Sequence, residues 1–375
     1  MEKTVKLEPK KELDNLQERK LIINRDEYKN ELLLTRLLAR TEIDSDKVLE
    51  IVKKVDNWGA FLNEVYKNKI ALLVNYHLFQ QQLFPYIPRY VVASLMGYRH
   101  YNQLKLDTYF KIIRRITEIF EQEKIDYIFM KGFDIIDKLY AQKSPYIREF
   151  NDLDILVLED DLTKVEKLFL KQGYVFGVYN NQDDTILPAS RYDIIRMRMD
   201  SHQIETFVKK VAYDEKGLVP GPIYIDVNFT IFDGGKNSVP ISTRELLLNR
   251  VKRISFNNIE YYSLSCYDTF LQLVYHLYRE TKFEMLKDEE LDVTLHKFCD
   301  IHEYLLKMDG SWDINVLRNM IQRNELQEVF WFVLYFMDLL YETKYLVCIL
   351  GNEINFMDKY YLYIKYFKDR FGLEE

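Results

Sequence analysis

Residues 151–157 read NDLDILV. Asp152 and Asp154 stand two positions apart inside a run that is otherwise Leu, Ile and Val, the composition of a strand. Residues two apart on a strand project to the same face, so the two carboxylates are held side by side. Carboxylates that close repel one another, and one is driven toward protonation unless a cation lies between them. An oxygen-only ligand set favours Mg²⁺ or Mn²⁺ as that cation. Asp226 repeats the pattern in Ile223-Tyr224-Ile225-Asp226-Val227, a carboxylate alone in a β-rich apolar run. Three strand carboxylates converging on one or two metals make a phosphoryl-transfer site. Upstream, Lys131-Gly132 falls where the short β-rich run IDYIFM (125–130) gives way to the helical DIIDKLYAQ. Glycine there lets backbone approach a phosphate, and a helix N-terminus offers unpaired N–H groups.

Each residue also has a plainer explanation. A DxD alone occurs at helix caps, and in glycosyltransferases that hold a nucleotide-sugar through Mn²⁺. Asp226 could face water from an edge strand, Arg148 could pair with one of the aspartates, and Lys131 could be a solvated turn residue. Inside an apolar strand, however, a buried unpaired carboxylate costs several kcal/mol, roughly, so the bland reading of Asp152 and Asp154 is the expensive one. His202, in DSHQIETF, is a candidate on the acceptor side, with a surface histidine as its alternative. His276 on LQLVYHLYRE and Asp300 on KFCDIHEYL are further candidates, with a satisfied core polar pair as theirs. His77, His100, His296 and His302 show no metal-ligand spacing.

The elements that must position these residues are legible in outline. Glycine and proline are sparse before residue 130, cluster between 132 and 240, and proline is absent after Pro240. Helical flanks around a central mixed α/β region would give that distribution. WGAFLNEVYKNKIALLVNYHLFQQQL (58–83) carries an apolar stripe at helical spacing, ended by Pro85 and Pro88, and a long helix is expected over about 101–124. LDILVL is a strand. DDLTKVEKLFLKQGY (160–174) reads as a helix opened by an aspartate pair and closed by Gly173. Further strands are expected at 174–179, 202–210, 221–232 and 254–264, and helical spacing returns from about 265 to 370. The organisation predicted is a polar tail over 1–26, a helical region over 27–124, an α/β core over 125–265 and a helical region over 266–375.

Bulk properties narrow the function classes. The chain has 375 residues, 48% of them hydrophobic, enough for a sizeable core. Its formal net charge of −7 argues against bulk nucleic acid as the main partner, since phosphate backbones demand a dominant positive surface. The 29 Tyr and 23 Phe are spread through helices and make no base-stacking platform. Cys266, Cys299 and Cys348 lie far apart without CxxC pairing, which predicts buried thiols in a reducing compartment rather than a zinc site or disulfide framework. The opening MEKTVKLEPKKELDNLQERK is charged and has no apolar h-region. VFWFVLYFM (329–337) is too short to span a bilayer and reads as a core helix. The run EMLKDEELD (284–292) reads as a solvated loop or helix end. A cytoplasmic protein without membrane association is expected.

The order FMKGFDIIDKLY, then REFNDLDILV, then KLFLKQGY, then IDVNF resembles the bacterial "uncharacterised nucleotidyltransferase" family of the polymerase-β-like nucleotidyltransferase superfamily. The KG…R…DxD block carries the specific part of the likeness, and the flanks follow the family's general layout over most of the chain. The resemblance implies an α+β fold, with a nucleotidyltransferase-type mixed sheet flanked by N-terminal and C-terminal helical regions. It implies that Asp152 and Asp154 bind the metal carrying a nucleoside triphosphate, and that Asp226 completes the site and helps deprotonate an acceptor hydroxyl. The backbone of Gly132 would cradle phosphates, and Lys131 and Arg148 are candidate phosphate contacts. Two departures stand out. Phe133 follows Gly132 where the wider superfamily has Gly or Ser, and Asn228 replaces a histidine after the third acid. The activity implied is transfer of an NMP group from an NTP to a hydroxyl or phosphate of a small-molecule or peptide acceptor, with release of pyrophosphate. An RNA end is less favoured on charge. A DxD glycosyltransferase using a nucleotide-sugar, and a degenerate nucleotide-binding protein, stay as alternatives. The NTP base, the acceptor and the oligomeric state are not legible.

Overall fold

Between residues 127 and 263 the β-rich runs pair into one mixed eight-stranded sheet in a computed structural model that describes residues 28–211, 221–232, 241–287, 293–308, 310–351 and 354–373. The strands are β1 (Tyr127–Met130), β2 (Asp152–Val157), β3 (Val175–Asn180), β4 (Thr185–Pro188), β5 (Phe207–Lys210), β6 (Pro222–Asn228), β7 (Val251–Ile254) and β8 (Glu260–Ser263). Their order is β4-β3-β5-β6-β2-β1-β8-β7. β2 runs parallel to β6 and antiparallel to β1 at the centre of the sheet. The helices, in chain order, are α1 (Lys29–Leu37), α2 (Ser45–Val52), α3 (Trp58–Lys67), α4 (Ala71–Gln80), α5 (Arg89–Gln122), α6 (Lys131–Ile135), α7 (Leu162–Lys171), α8 (Arg191–Asp200), α9 (Thr243–Leu248), α10 (Cys266–Lys287), α11 (Leu295–Met308), α12 (Ile314–Arg323), α13 (Gln327–Tyr341), α14 (Tyr345–Leu350) and α15 (Met357–Phe371). The fold is α+β, a mixed sheet accompanied by helices from both ends of the chain.

The chain divides into two compact units, residues 96–272 and residues 1–95 together with 273–375. In the first, the alternation of β2 and β6 separates two chemistries. Leu153, Ile155, Val157, Ile223, Ile225 and Val227 point to one face and form a continuous core with Tyr109, Phe110, Ile113, Ile116 and Phe120 of α5 and Leu162, Val165 and Phe169 of α7. The residues between them, Asp152, Asp154, Tyr224, Asp226 and Asn228, therefore share the opposite face. In the second unit, helix packing is largely aromatic: Phe332 of α13 lies edge-on to Tyr360 of α15, and Phe336 stacks on Phe367. VFWFVLYFM lies within α13, mostly buried as expected of a core helix.

Several elements depart from their predicted outlines. The stripe over 58–83 is two helices, α3 and α4. Lys69 adopts a left-handed backbone (φ 54°), its N–H reaches the Tyr66 carbonyl, and the N–H of Ile70 reaches that of Val65. This is a Schellman ending made without glycine, so the sequence does not flag it. The run 254–264 holds the last residue of β7, a turn with Asn258 at φ 59°, and β8, the returning strand of a hairpin that begins at Val251. Only Phe207–Lys210 of 202–210 is strand, preceded by a single bridge from Gln203 to Asn228. β6 ends at Asn228, short of 232. No side chain of Asp161 caps α7. Of the cysteines, Cys299 is buried, Cys266 is half-buried and Cys348 is exposed. Residues 288–292 of the charged run lie outside the described residues, and 284–287 end α10. Among the described residues no helix is long and apolar enough to cross a membrane.

Candidate active site

The parallel pairing of β2 and β6 sets Asp154 opposite Asp226 and Asp152 opposite Tyr224. The antiparallel pairing of β1 sets Met130 opposite Asp154, so the turn that follows, Lys131-Gly132, meets the acids. The Lys131 ammonium lies 2.7 Å from Asp154 Oδ1, with the lysine side chain 17% exposed and the aspartate 3%. Asn228, buried at 1% exposure, donates its Nδ2 to the same oxygen at 3.3 Å and to the Asp226 carbonyl at 3.3 Å. Its Oδ1 is buried without a hydrogen-bond partner. Asp226 Oδ1 accepts a 2.6 Å hydrogen bond from Thr206 Oγ1.

Charge on this face is unbalanced. Burial pushes the Asp226 carboxyl up to about 7, and the negative charges of Asp152 and Asp154 push in the same direction. The Thr206 hydrogen bond and the Lys131 charge pull against them. A second cation stands beside the acids: Lys105 of α5 donates to Asn151 Oδ1 at 2.7 Å. Burial lowers its pKa, while Glu149 and Asp152 act to raise it.

Packing holds the turn against the start of β2. A Cβ on Gly132 would stand 2.6 Å from two ring carbons of Phe150, so glycine is required here for the close approach of that ring. Phe150 lies edge-on to Tyr109 with centroids 4.5 Å apart. The Tyr109 hydroxyl donates to the Asn151 carbonyl at 2.6 Å and accepts from the Tyr224 N–H at 3.1 Å, tying β2 to β6 at the end where the acids lie. Phe133 packs into the core against Phe129 and Tyr261, so its ring leaves the turn clear. From the far side, Lys138 binds Asp134 at 2.7 Å and Thr269 at 2.7 Å, fixing the helical turns after Gly132.

Of the residues singled out from the sequence, Asp152, Asp154, Asp226 and Asn228 share the sheet face, with Lys131 on Asp154 and Gly132 in the adjoining turn; Asp154 is buried as expected, but Asp152, first residue of β2, is exposed, so the cost of burial applies to Asp154 and not to it. His202 flanks the exit of β6, where its carbonyl accepts from Phe229 N–H at 3.0 Å. Arg148 precedes β2 and donates to the Glu149 carbonyl at 2.9 Å. His276 belongs to the other unit, where its Nε2 meets Glu280 at 3.2 Å and its Nδ1 meets Arg279. Asp300 is buried in that same unit. Thr206, Lys105 and Tyr109 were not legible, because none lies in a linear motif and each reaches the site only through the folded sheet.

Among the described residues no group of three or more His, Cys, Asp or Glu side chains is arranged to hold a metal ion. The donor chemistry of the sheet face nevertheless fits a hard divalent cation. Every candidate ligand is an oxygen, the buried Asn228 Oδ1 lacks a partner, and burial together with the neighbouring acids pushes the Asp226 carboxyl up to about 7. What stands on Asp154 in this structure is an ammonium group.

Residues 54–342 match the family described as uncharacterised nucleotidyltransferase. No curated protein matches the chain.

Proposed function

The chain belongs to the uncharacterised nucleotidyltransferase family, and from that premise we propose that it moves an NMP group from an NTP to a hydroxyl or phosphate of a small-molecule or peptide acceptor, releasing pyrophosphate. The observation that carries the reading is the register of β2 on β6, which puts Asp154 beside Asp226 on a sheet face away from the core. Asp152, Asp154 and Asp226 would hold Mg²⁺ or Mn²⁺, which when bound neutralises triphosphate charge and polarises the α-phosphate. Gly132 and the N–H groups of the turn would meet the phosphates, with Lys131 and Lys105 as the nearby cations and Arg148 a further candidate from the segment before β2. Asp226, steadied by Thr206, takes the acceptor's proton. Asn228, in the place of a histidine, supplies no base and braces Asp154 and the Asp226 carbonyl through its amide protons. The rest of catalysis is positioning and charge complementarity.

The test is label transfer. Each of the four NTPs, labelled at the α-phosphate, is incubated with the protein, Mg²⁺ and cell extract as acceptor source. The proposal expects acceptor-bound α-label with equimolar pyrophosphate, and at least about 10³-fold less from Asp154→Asn. Transfer from a nucleotide-sugar alone, with none from any NTP, would overturn it in favour of a glycosyltransferase.

A further inference from the structure

Lys131 and Asp154 form an ion pair within the acid-bearing face. The ammonium and the carboxylate oxygen are 2.7 Å apart and both withdrawn from water. Lys131 reaches that position from a left-handed backbone, φ 48°. Any residue with a Cβ resists this conformation, and it persists where the surroundings dictate where a side chain points. Close by, Asn228 spends its only two amide protons on Asp154 Oδ1 and the Asp226 carbonyl, leaving its buried oxygen unpartnered. The face thus gathers three carboxylates and one amide oxygen, with the Lys131 ammonium set on the inner one, Asp154. A divalent cation bound by Asp154 through Oδ1 needs an oxygen that Lys131 already holds.

We infer that Lys131 is a displaceable counter-ion: it neutralises Asp154 in the metal-free protein, yields that oxygen to a divalent cation, and turns its ammonium to the phosphates of the incoming nucleotide. The inference rests on the nucleotidyltransferase reading above. No bond is made or broken in the exchange; one charge pairing replaces another, and the lysine stays protonated. The exchange also couples the two ligands. Metal arrival releases the cation that the triphosphate uses, so each ligand favours the other by the same factor.

Mn²⁺ titrated into the full-length protein at fixed ionic strength without nucleotide, with free Mn²⁺ read by electron paramagnetic resonance, tests this directly. Lys131→Met, which removes the competitor, is expected to bind Mn²⁺ about tenfold more tightly than the wild type, and Asp154→Asn to lose that binding. A second measurement needs no variant. Acylation of wild-type lysines by an N-hydroxysuccinimide ester, mapped by mass spectrometry, is expected to rise severalfold at Lys131 when Mn²⁺ is added. If the wild type binds Mn²⁺ through Asp154 but Lys131→Met binds it no better, or Lys131 acylation does not move, the exchange is wrong and the metal site stands. If the wild type binds no Mn²⁺ without nucleotide, the exchange is wrong, while the nucleotidyltransferase reading stands or falls on the label transfer.

Discussion

Asp226 is the residue whose environment departs furthest from that of an ordinary aspartate in the site. Its carboxyl is pushed from an ordinary 3.8 to about 7 by burial and by its two acidic neighbours. Between those pH values the native protein keeps a proton that the unfolded chain has lost, so raising the pH through this window withdraws stability from the metal-free protein. Asp226→Asn removes the penalty. In chelator at pH 8 it is expected to be more stable than wild type by about 2 kcal/mol, with the difference gone below about pH 4. Urea unfolding followed by circular dichroism at the two pH values reads this, and equal stabilities at pH 8 would show that the charged Asp226 carboxyl carries no such penalty in the fold. Thr206→Val deletes the hydrogen bond that favours the charged form. In metal-free protein it is expected to move the carboxyl titration of Asp226 further upward, as seen in ¹³C spectra.

The element that places the chemistry is the junction of β1, the Lys131-Gly132 turn and the start of β2. Tyr109, Phe150 and Gly132 pack as a sequence of contacts, and each step can be removed singly. Gly132→Ala forces the Phe150 ring aside and is expected to cost about 1–3 kcal/mol. Tyr109→Phe loses the hydroxyl that bridges β2 and β6 and is expected to cost about 1–2 kcal/mol. Thermal unfolding measures both, and a Gly132→Ala protein as stable as wild type would refute the packing role of that glycine. This junction was legible because its signals are local: period-two alternation in LDILV, an isolated acid in IYIDV, and a glycine between a β-rich and a helical run. The supports were not. Thr206 and Lys105 approach the acids from positions 20 and more residues away in the chain, and no pattern in either segment points at Asp226 or Asp152. Asn258 and Lys69 end their elements with left-handed backbones that sequence associates with glycine, so a hairpin looked like one strand and two helices like one.

At the scale of the whole molecule the chain builds two units, and its far-apart segments meet in the helical one. Arg370 of α15 binds Glu64 of α3 at 2.8 Å, both side chains buried. Glu64→Gln leaves a buried guanidinium short of its counter-charge and is expected to destabilise that unit by about 3 kcal/mol while leaving Mn²⁺ affinity in the sheet unit unchanged at a temperature where the variant is folded. A parallel loss of metal affinity, followed by the same Mn²⁺ titration, would contradict that separation. The net charge of −7 sets the local cations Lys131 and Lys105 against an acidic background. The acid-bearing sheet face is proposed to hold a metal-bound nucleoside triphosphate, and the proposal rests on Asp154. It is tested most directly by calorimetric titration of an α,β-methylene NTP into the full-length protein with Mg²⁺, for wild type and Asp154→Asn. Metal-dependent binding in the wild type that weakens at least about a hundredfold in Asp154→Asn is the expected result. Equal affinity in the two proteins, or binding indifferent to Mg²⁺, would contradict the account.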